Sequence, residues 1–463
     1  MKQKTSFVVQ GEKIAIIKLI HFLVSVAVFY LFWLLFRYKG IHVEHVRGYR
    51  YNYFVTIAFG VLLYLFNRTY NSFYLGYSRI RSMIFGQFFS QVFSTTLIYL
   101  IVSVSWTKFQ APWLFILMFV VMLIHDLAWT WCATLYFFKL NSKRRTLLIY
   151  RNQIDKKRFG SINGKPTQRL YKITDELQYD GTYPELEPKL YGYDAIFVAG
   201  VNPRCRNGIL KFCKEHAIPG FFLPHIGDVI MQEAMHIQSF DSPVLYVSRK
   251  RLNPEYAVAK RIFDIVSSGV ALIILSPIML ITGLAIHFYD GGPAFYKQVR
   301  LTKDGKQFKI LKFRSMRVDA EKDGVARLST GDNDDRITPI GRIVRKCRLD
   351  ELPQLWNIFV GDMSVVGPRP ERPEIAEQYY ETMPDFQLRL QVKAGLTGYA
   401  QVYGKYNTEP YEKLEFDLLY INQMNFFTDL KLCFATFAIL FVSESTQGVE
   451  EGKTTAMEMQ ETK

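Results

Sequence analysis

Asp350 and Glu351 stand side by side in a stretch, residues 337 to 373, where carboxylates, guanidinium groups and rigid Pro/Gly corners are concentrated. Arg342, Arg345 and Arg348 precede the pair, and Arg369 and Arg372 follow it. Pro353 suits the first position of a new helix, because it has no N–H to leave unsatisfied there. A helix opening at Pro353 sets both carboxylates beside its positive end, among arginines, where the ionised forms are favoured. Ionised carboxylates act as nucleophiles or as metal ligands. Taken alone, an acidic pair before a helix is more often surface charge at the dipole. The arginines at spacing three likewise read as one solvated helical face. The chemical reading therefore depends on what surrounds the pair.

The 463-residue chain exceeds one ordinary domain, and 49% hydrophobic with 15% aromatic residues points away from a simple soluble protein. A net charge of +15 suits anionic lipid surfaces, phosphate-rich substrates or nucleic acid, and composition does not choose among them. The five cysteines (Cys132, Cys205, Cys213, Cys347, Cys433) form no CxxC pair or metal-ligand spacing, which argues against a zinc site and a disulfide framework.

Four apolar stretches occupy the first 140 residues, at 14–36, 53–66, 83–103 and 111–138. A bilayer core needs about 20 apolar residues per helix. The first, third and fourth satisfy this, and the second does so only with its lead-in from Tyr51. No small-residue cleavage site follows the first stretch, so it reads as an anchor. Lys and Arg before the first span, between the second and third, and after the fourth put both ends of the bundle in the cytoplasm. Arg37, Lys39, Arg47 and Arg50 in the first loop run against that rule. His125 and Asp126 lie inside the fourth span. A polar contact between helices is the preferred reading, since no second intramembrane acid or base suggests a relay.

From Arg144 to Ser248 the short apolar runs at 146–150, 195–200 and 220–224 alternate with polar helical segments, as in a small parallel sheet. A dinucleotide site needs glycines after the first strand, and Arg151, Asn152 and Gln153 stand there instead. GSINGKP at 160–166 lacks Walker A spacing. The YAVAK run at Tyr256 to Lys260 matches a dehydrogenase pattern by chance, with no glycine loop upstream. The expectation is a Rossmann-like α/β module without the nucleotide fingerprint, regulatory or dimerising. Residues 260–289 then form an apolar run interrupted by Ser276 and Pro277, and proline breaks helical hydrogen bonding. A fifth span is one reading. A re-entrant hairpin over 261–288 is preferred: it leaves Lys260 and Arg261 at the headgroups and Asp264 near the surface. A spanning helix would carry the arginine-rich site away from cytoplasmic nucleotides.

After the hairpin come Gln298-Val-Arg300, Asp304-Gly305, LKFRSM at 311–316, the opening stretch, and KAGLTGYAQVYGKYN at 393–407. In this order KRIFD, the Ser-Pro break, KFRSM, LDELPQLWN, GDMS, VVGPRPERP and GLTGYAQV resemble the bacterial sugar transferase family. These are the monotopic phosphoglycosyl transferases that act as polyprenyl-phosphate hexose-1-phosphate transferases. The resemblance covers about residues 255 to 445. It implies transfer of a hexose-1-phosphate from a UDP-sugar to undecaprenyl phosphate with release of UMP, Mg²⁺ as cofactor, and a place at the first membrane step of capsule or exopolysaccharide synthesis. By the same resemblance Asp350 is the nucleophile that forms a covalent phosphosugar, and Glu351 holds the metal. Lys312 and Arg345 are basic residues of the site, and Arg369 contacts phosphate or uridine. Ser276 and Pro277 make the membrane helix re-entrant. Arg300 and Arg372 join the substrate-binding set, while Asp362 and Asp417 read equally well as structural. Gly395 and Gly398 are read as serving the backbone. One departure is Ala394, where many relatives have proline; it is expected to loosen that corner.

The chemistry agrees independently. The oxygens of a diphosphate repel a nucleophile until cations neutralise them, and a covalent intermediate divides the transfer into two in-line displacements. The expected architecture is membrane α plus α/β: a four-helix transmembrane bundle (1–140), the α/β module (141–250), an α-rich monotopic transferase domain (251–445) and a polar tail (446–463). The apolar segment 426–442 is expected to lie along the interface. The expected location is the bacterial cytoplasmic membrane, multi-pass, with the catalytic domain on the cytoplasmic face. The expected partners are UDP-sugar, undecaprenyl phosphate, membrane lipid and a second copy of the chain, without nucleic acid. Glucose is preferred over galactose. An inactive scaffold of polysaccharide assembly is the alternative, disfavoured by the intact acidic pair, and a sugar-nucleotide dehydratase fails for want of a glycine-rich loop.

Overall fold

The structure, a computed structural model, describes residues 2–40, 49–78, 80–106, 113–160, 170–239, 242–250, 252–318, 320, 334, 336–404 and 409–440. Arg47, residues 161–166 of the GSINGKP segment and the polar tail lie outside the described residues. The chain divides into two compact units, Met1–Leu223 and Pro224–Lys463.

The first unit opens with four helices, α1 (Lys2–Gly40), α2 (Tyr49–Thr69), α3 (Ile80–Trp106) and α4 (Trp113–Leu140). Stretches that are apolar on every side face lipid as readily as protein. Three of these helices (Gly11–Phe36, Ile80–Val104 and Trp113–Leu140) are long and apolar enough to cross a membrane. The fourth helix of that kind is α9 (Pro254–Asp290), in the second unit. α2 is not among them, since Arg50, Asn52, Asn67 and Arg68 shorten its apolar length from both ends. Aromatic stacking joins the bundle, with Phe29 3.8 Å from Phe59 and Trp33 donating to Asn52 at 3.1 Å. α1 also brings His21 to the fourth helix. The His21 ring stacks on His125 at 4.7 Å, and its Nε2 lies 3.7 Å from Asp126 Oδ1. The expectation that no second intramembrane acid or base exists is thus corrected; His21 sits in an apolar run on another helix, where linear spacing hides the meeting. The contact itself is interhelical, as preferred.

β1 (Arg144–Tyr150), α5 (Gln153–Gly160), β2 (Tyr171–Gln178), α6 (Tyr183–Leu186), β3 (Ala195–Ala199), α7 (Pro203–Glu215) and β4 (Gly220–Phe222) complete the unit. The four strands pair in parallel in the order β2-β1-β3-β4. β1 and β3 are buried on both faces, so they read as continuous apolar runs. β2 is the strand the sequence hid: at the sheet edge, YKITDELQ buries Tyr171, half-buries Ile173 and Leu177, and exposes its charges. At the ends of β1 and β3, Arg151 pairs with Asp180 at 3.1 Å, and Asp155 packs so closely on Gly200 that no Cβ fits there. One cluster joins the sheet to the bundle, with Leu148, Tyr150 and Phe197 against Met83 and Phe137.

The second unit contains α8 (Ile226–Met231), the hairpin β5 (Met235–Ser239) and β6 (Ser242–Tyr246), then α9 with Pro254 in its first turn and Gly291 in the left-handed region after its end. Helical structure continues through Pro277, and Ser276 Oγ donates to Ile273 O at 2.8 Å. Ala271, Leu272 and Leu275, before the proline, pack on Ile310 and Ile358; Met279 and Ile286, after it, pack with Phe313 and Val344. The hairpin of β7 (Phe295–Leu301) and β8 (Gln307–Phe313) follows, then α10 (Pro339–Lys346), α11 (Gln354–Val360), β9 (Ser364–Val366), α12 (Pro373–Thr382), β10 (Gly395–Thr397), α13 (Tyr399–Tyr403), α14 (Pro410–Asn422) and α15 (Phe426–Leu440). β9 and β10 pair in parallel. A core of Ile226, Val229, Val366, Ile375, Phe386, Leu414, Leu418 and Leu432 holds α8, α12, α14 and α15 together.

Candidate active site

Three local devices deliver the acidic pair. α10 ends at Cys347, and Arg348 turns the chain through the left-handed region at φ 52, a conformation that costs a side-chain-bearing residue about 1–2 kcal/mol. A single 3₁₀ turn, Leu349–Glu351, then carries both carboxylates. Pro353 follows in helical conformation and α11 begins at Gln354, one residue beyond the expected start.

β8 supplies Lys312. Its Nζ lies 4.0 Å from Glu351 Oε1, the same oxygen that accepts from Arg369 Nη2 at 2.8 Å. The register of β8 is fixed by a side chain the sequence did not single out. Asn357 Oδ1 accepts from Leu311 N at 2.9 Å, and its Nδ2 donates to Lys309 O at 2.9 Å and to Asp362 Oδ2 at 3.2 Å. Lys312 and Glu351 are 20% and 16% exposed, whereas Arg369 is 46% exposed, so the arginine forms the open side of the cluster.

The electrostatics separate the two acids. Burial pushes Glu351 upward, but Arg369 and then Lys312 outweigh it and hold the carboxyl down at about 2. Asp350 is pushed up to about 6, first by burial and then by the Glu351 charge, against Lys312, Arg345 and Arg369. Burial also brings Lys312 down to about 8, with Glu351 resisting. The site therefore pairs a firmly ionised carboxylate with one that titrates just below neutrality.

Asp350, Glu351, Lys312, Arg345 and Arg369 are thus brought within mutual electrostatic reach. Arg300 and Arg372 flank them. Arg300 donates to Gln298 Oε1 at 2.5 Å and to Pro370 O at 3.3 Å, and burial, with Arg369 and Arg372 adding, lowers it to about 10 against Glu371. Arg372 Nε is 3.6 Å from Glu374. Ser276 and Pro277 lie within α9. Tyr256 of the YAVAK run donates to buried Asp429 at 2.7 Å, a packing role. Gly395 and Gly398 do serve the backbone: a Cβ on Gly395 would lie 2.0 Å from Gly367 N, and one on Gly398 2.3 Å from Gly367 O. The corner at Ala394 is not loosened. Its N–H, which a proline would lack, donates to Thr302 Oγ1 at 3.1 Å, and its carbonyl accepts from Ser364 N at 2.8 Å.

Among the described residues no group of three His, Cys, Asp or Glu side chains converges as a metal cage. Mg²⁺ does not need one, because one or two carboxylates with substrate phosphates and water complete its shell. The ionised Glu351 beside Asp350 fits that donor set.

Residues 255–443 match the family described as Bacterial sugar transferase. Over 211 residues the chain is 41% identical to the UDP-glucose:undecaprenyl-phosphate glucose-1-phosphate transferase of Klebsiella pneumoniae, covering 44% of this chain and 43% of that one. It is 36% identical over 217 residues to the galactosyl transferase CpsE of Streptococcus agalactiae, covering 44% and 47%. The exopolysaccharide production protein PSS of Rhizobium leguminosarum is 40% identical over 200 residues, 41% of this chain and 97% of the relative. The chain spans less than half the length of the first two. With nearly all of the third covered, the chain belongs to the bacterial sugar transferase family.

Proposed function

We propose that this protein transfers a hexose-1-phosphate from a UDP-sugar to undecaprenyl phosphate, opening capsule or exopolysaccharide repeat-unit synthesis. The observation that carries this reading is the juxtaposition of Asp350 and Glu351 with Lys312, Arg345 and Arg369. An Asp350 carboxylate oxygen attacks the phosphorus bearing the sugar, the bond from that phosphorus to the bridging oxygen breaks, and UMP leaves. A phosphate oxygen of undecaprenyl phosphate then attacks the same phosphorus, Asp350 departs as carboxylate, and the lipid diphosphate-sugar forms. Neither step requires proton transfer to the leaving group, so charge neutralisation by Lys312 and the arginines is the main term. Glu351 would hold Mg²⁺, which when bound would supply Lewis-acid neutralisation of the diphosphate. Arg369, on the exposed side of the cluster, meets phosphate bidentately, with Arg300 and Arg372 beside it.

Glucose is the proposed donor and galactose the second. The protein resides in the bacterial cytoplasmic membrane with its site on the cytoplasmic face, and α9 enters and leaves the same leaflet by bending at Pro277. Packing of α9 residues from both sides of Pro277 on one catalytic unit supports that path. The α/β module serves regulation or dimerisation.

The test is UMP release from UDP-glucose and UDP-galactose with undecaprenyl phosphate and Mg²⁺, beside Asp350→Asn. Release with one donor, abolished by the substitution, is expected. Undiminished release by Asp350→Asn rejects the covalent path, and no release with any UDP-sugar rejects the reaction.

A further inference from the structure

Four backbone groups of the segment Val366 to Arg369 are held by the surrounding structure. Gly367 N donates to Thr397 O at 2.8 Å, and Gly395 N donates to Pro368 O at 2.9 Å. At the first end, Val366 O accepts from Lys260 Nζ at 3.0 Å, and the Tyr420 hydroxyl, which accepts from the same Nζ at 3.3 Å, lies 3.1 Å from that carbonyl. At the other end, Arg369 O accepts from Arg389 Nη2 at 2.8 Å. Both charged donors are buried, and each is paired with a carboxylate buried as deeply. Lys260 Nζ is 2.7 Å from Asp429 Oδ2, an acid that also receives Tyr256 OH at 2.7 Å and Tyr420 OH at 2.8 Å. Arg389 meets Asp417 Oδ2 through Nε at 2.9 Å and Nη2 at 2.7 Å, with Glu371 3.6 Å from Nη1.

Two buried ion pairs on one four-residue segment are costly as stability devices, because desolvation offsets much of their attraction. What they do supply is position. Each cation is fixed by its acid and then spends a donor on a carbonyl of the segment, one at its start and one at its end. The residue so held is Arg369, whose side chain alone leaves the clamp to reach Glu351.

We propose that Lys260–Asp429 and Arg389–Asp417 are positioning pairs that clamp Val366–Arg369 and thereby set where the Arg369 guanidinium meets the diphosphate. The inference rests on the function proposed above. Lys260 lies in α9 and Asp429 in α15, so the first pair also ties the apolar helix to the segment that bears the arginine. A guanidinium displaced by about 1 Å can cost on the order of 10²-fold in rate.

The experiment is a double-mutant cycle on kcat/KM for the UDP-sugar, crossing Lys260→Met, Tyr420→Phe and Asp417→Asn each with Arg369→Ala. The expected result is a loss of ~10- to 100-fold for each clamp variant in the wild-type background, and much less once Arg369 is Ala. Losses that multiply in full with Arg369→Ala overturn the clamp, since a merely structural defect would act regardless of that side chain. Tyr420→Phe strands no charge and covers the case in which Lys260→Met does not fold. Amide exchange at Gly367 and Gly395 is read on the same full-length proteins. Faster exchange there in the clamp variants is expected, and unchanged exchange rejects the clamp. If the wild-type protein releases no UMP from any donor, the functional reading fails while the exchange result still decides the clamp.

Discussion

Asp350 and Glu351 share a turn and much of the same field, yet their environments part them. Arg369 and Lys312 both engage Glu351, so it stays ionised, while Asp350, half-buried next to that charge, is pushed up to about 6. A nucleophile must be ionised, so kcat/KM falls by about tenfold per pH unit once the pH drops well below the raised value. On the other side, Lys312 is brought down to about 8 by burial, so its charge is lost as pH rises past that point and diphosphate neutralisation weakens. The expected profile is a bell with limbs near 6 and 8, the acid limb belonging to the Asp350–Glu351 pair as a unit. Lys312→Arg keeps a positive charge at high pH and should move the alkaline limb upward while the acid limb stays. Initial rates across overlapping buffers check both limbs. An acid limb near the ordinary carboxylate range would show that its surroundings do not raise Asp350.

At the scale of elements, the site is held by backbones that approach too closely for side chains. β10 pairs Gly395 with Ser364 of β9, and just past β9 a Cβ on Gly395 would sit within 2.7 Å of three Gly367 backbone atoms. Gly395→Ala must therefore separate the strands. Overpacking of this kind costs about 1–3 kcal/mol, and because Gly395 N holds Pro368 O the change reaches Arg369 as well. Lower thermal stability together with reduced UMP release is the expected pair of outcomes; an unchanged melting temperature would contradict the close approach. These elements were legible to different degrees. LDELPQLWN announced its turn and helix because Pro353 has one favourable place there, and GLTG announced its need for glycine. Asn357, Arg389, Asp417, Lys260 and Asp429 gave no local signal as a set. Each is a common residue in an ordinary-looking helix or turn, and its role exists only through a partner up to 173 positions away. β2 and the His21 contact were hidden for related reasons: an edge strand keeps its charges, and a histidine in an apolar helix shows no partner until the helices meet.

At the scale of the molecule, every residue assigned to the reaction lies in the unit Pro224–Lys463, and the family match at 255–443 falls wholly inside it. That unit has its own cores, one around Val366, Phe386 and Leu418 and others packed on α9, drawn entirely from its own residues. The Rhizobium relative supports the same division, since a 200-residue alignment accounts for 97% of it. The first unit holds three of the long apolar helices and the parallel sheet. A chain cut to residues 224–463, extracted in detergent or held in nanodiscs through α9, should therefore release UMP with a KM for the sugar donor close to that of the full chain. Regulation and self-association, if they belong to the first unit, should be lost together in the same protein. A folded 224–463 chain with no UMP release, beside an active full-length protein, would mean that the first unit completes the site.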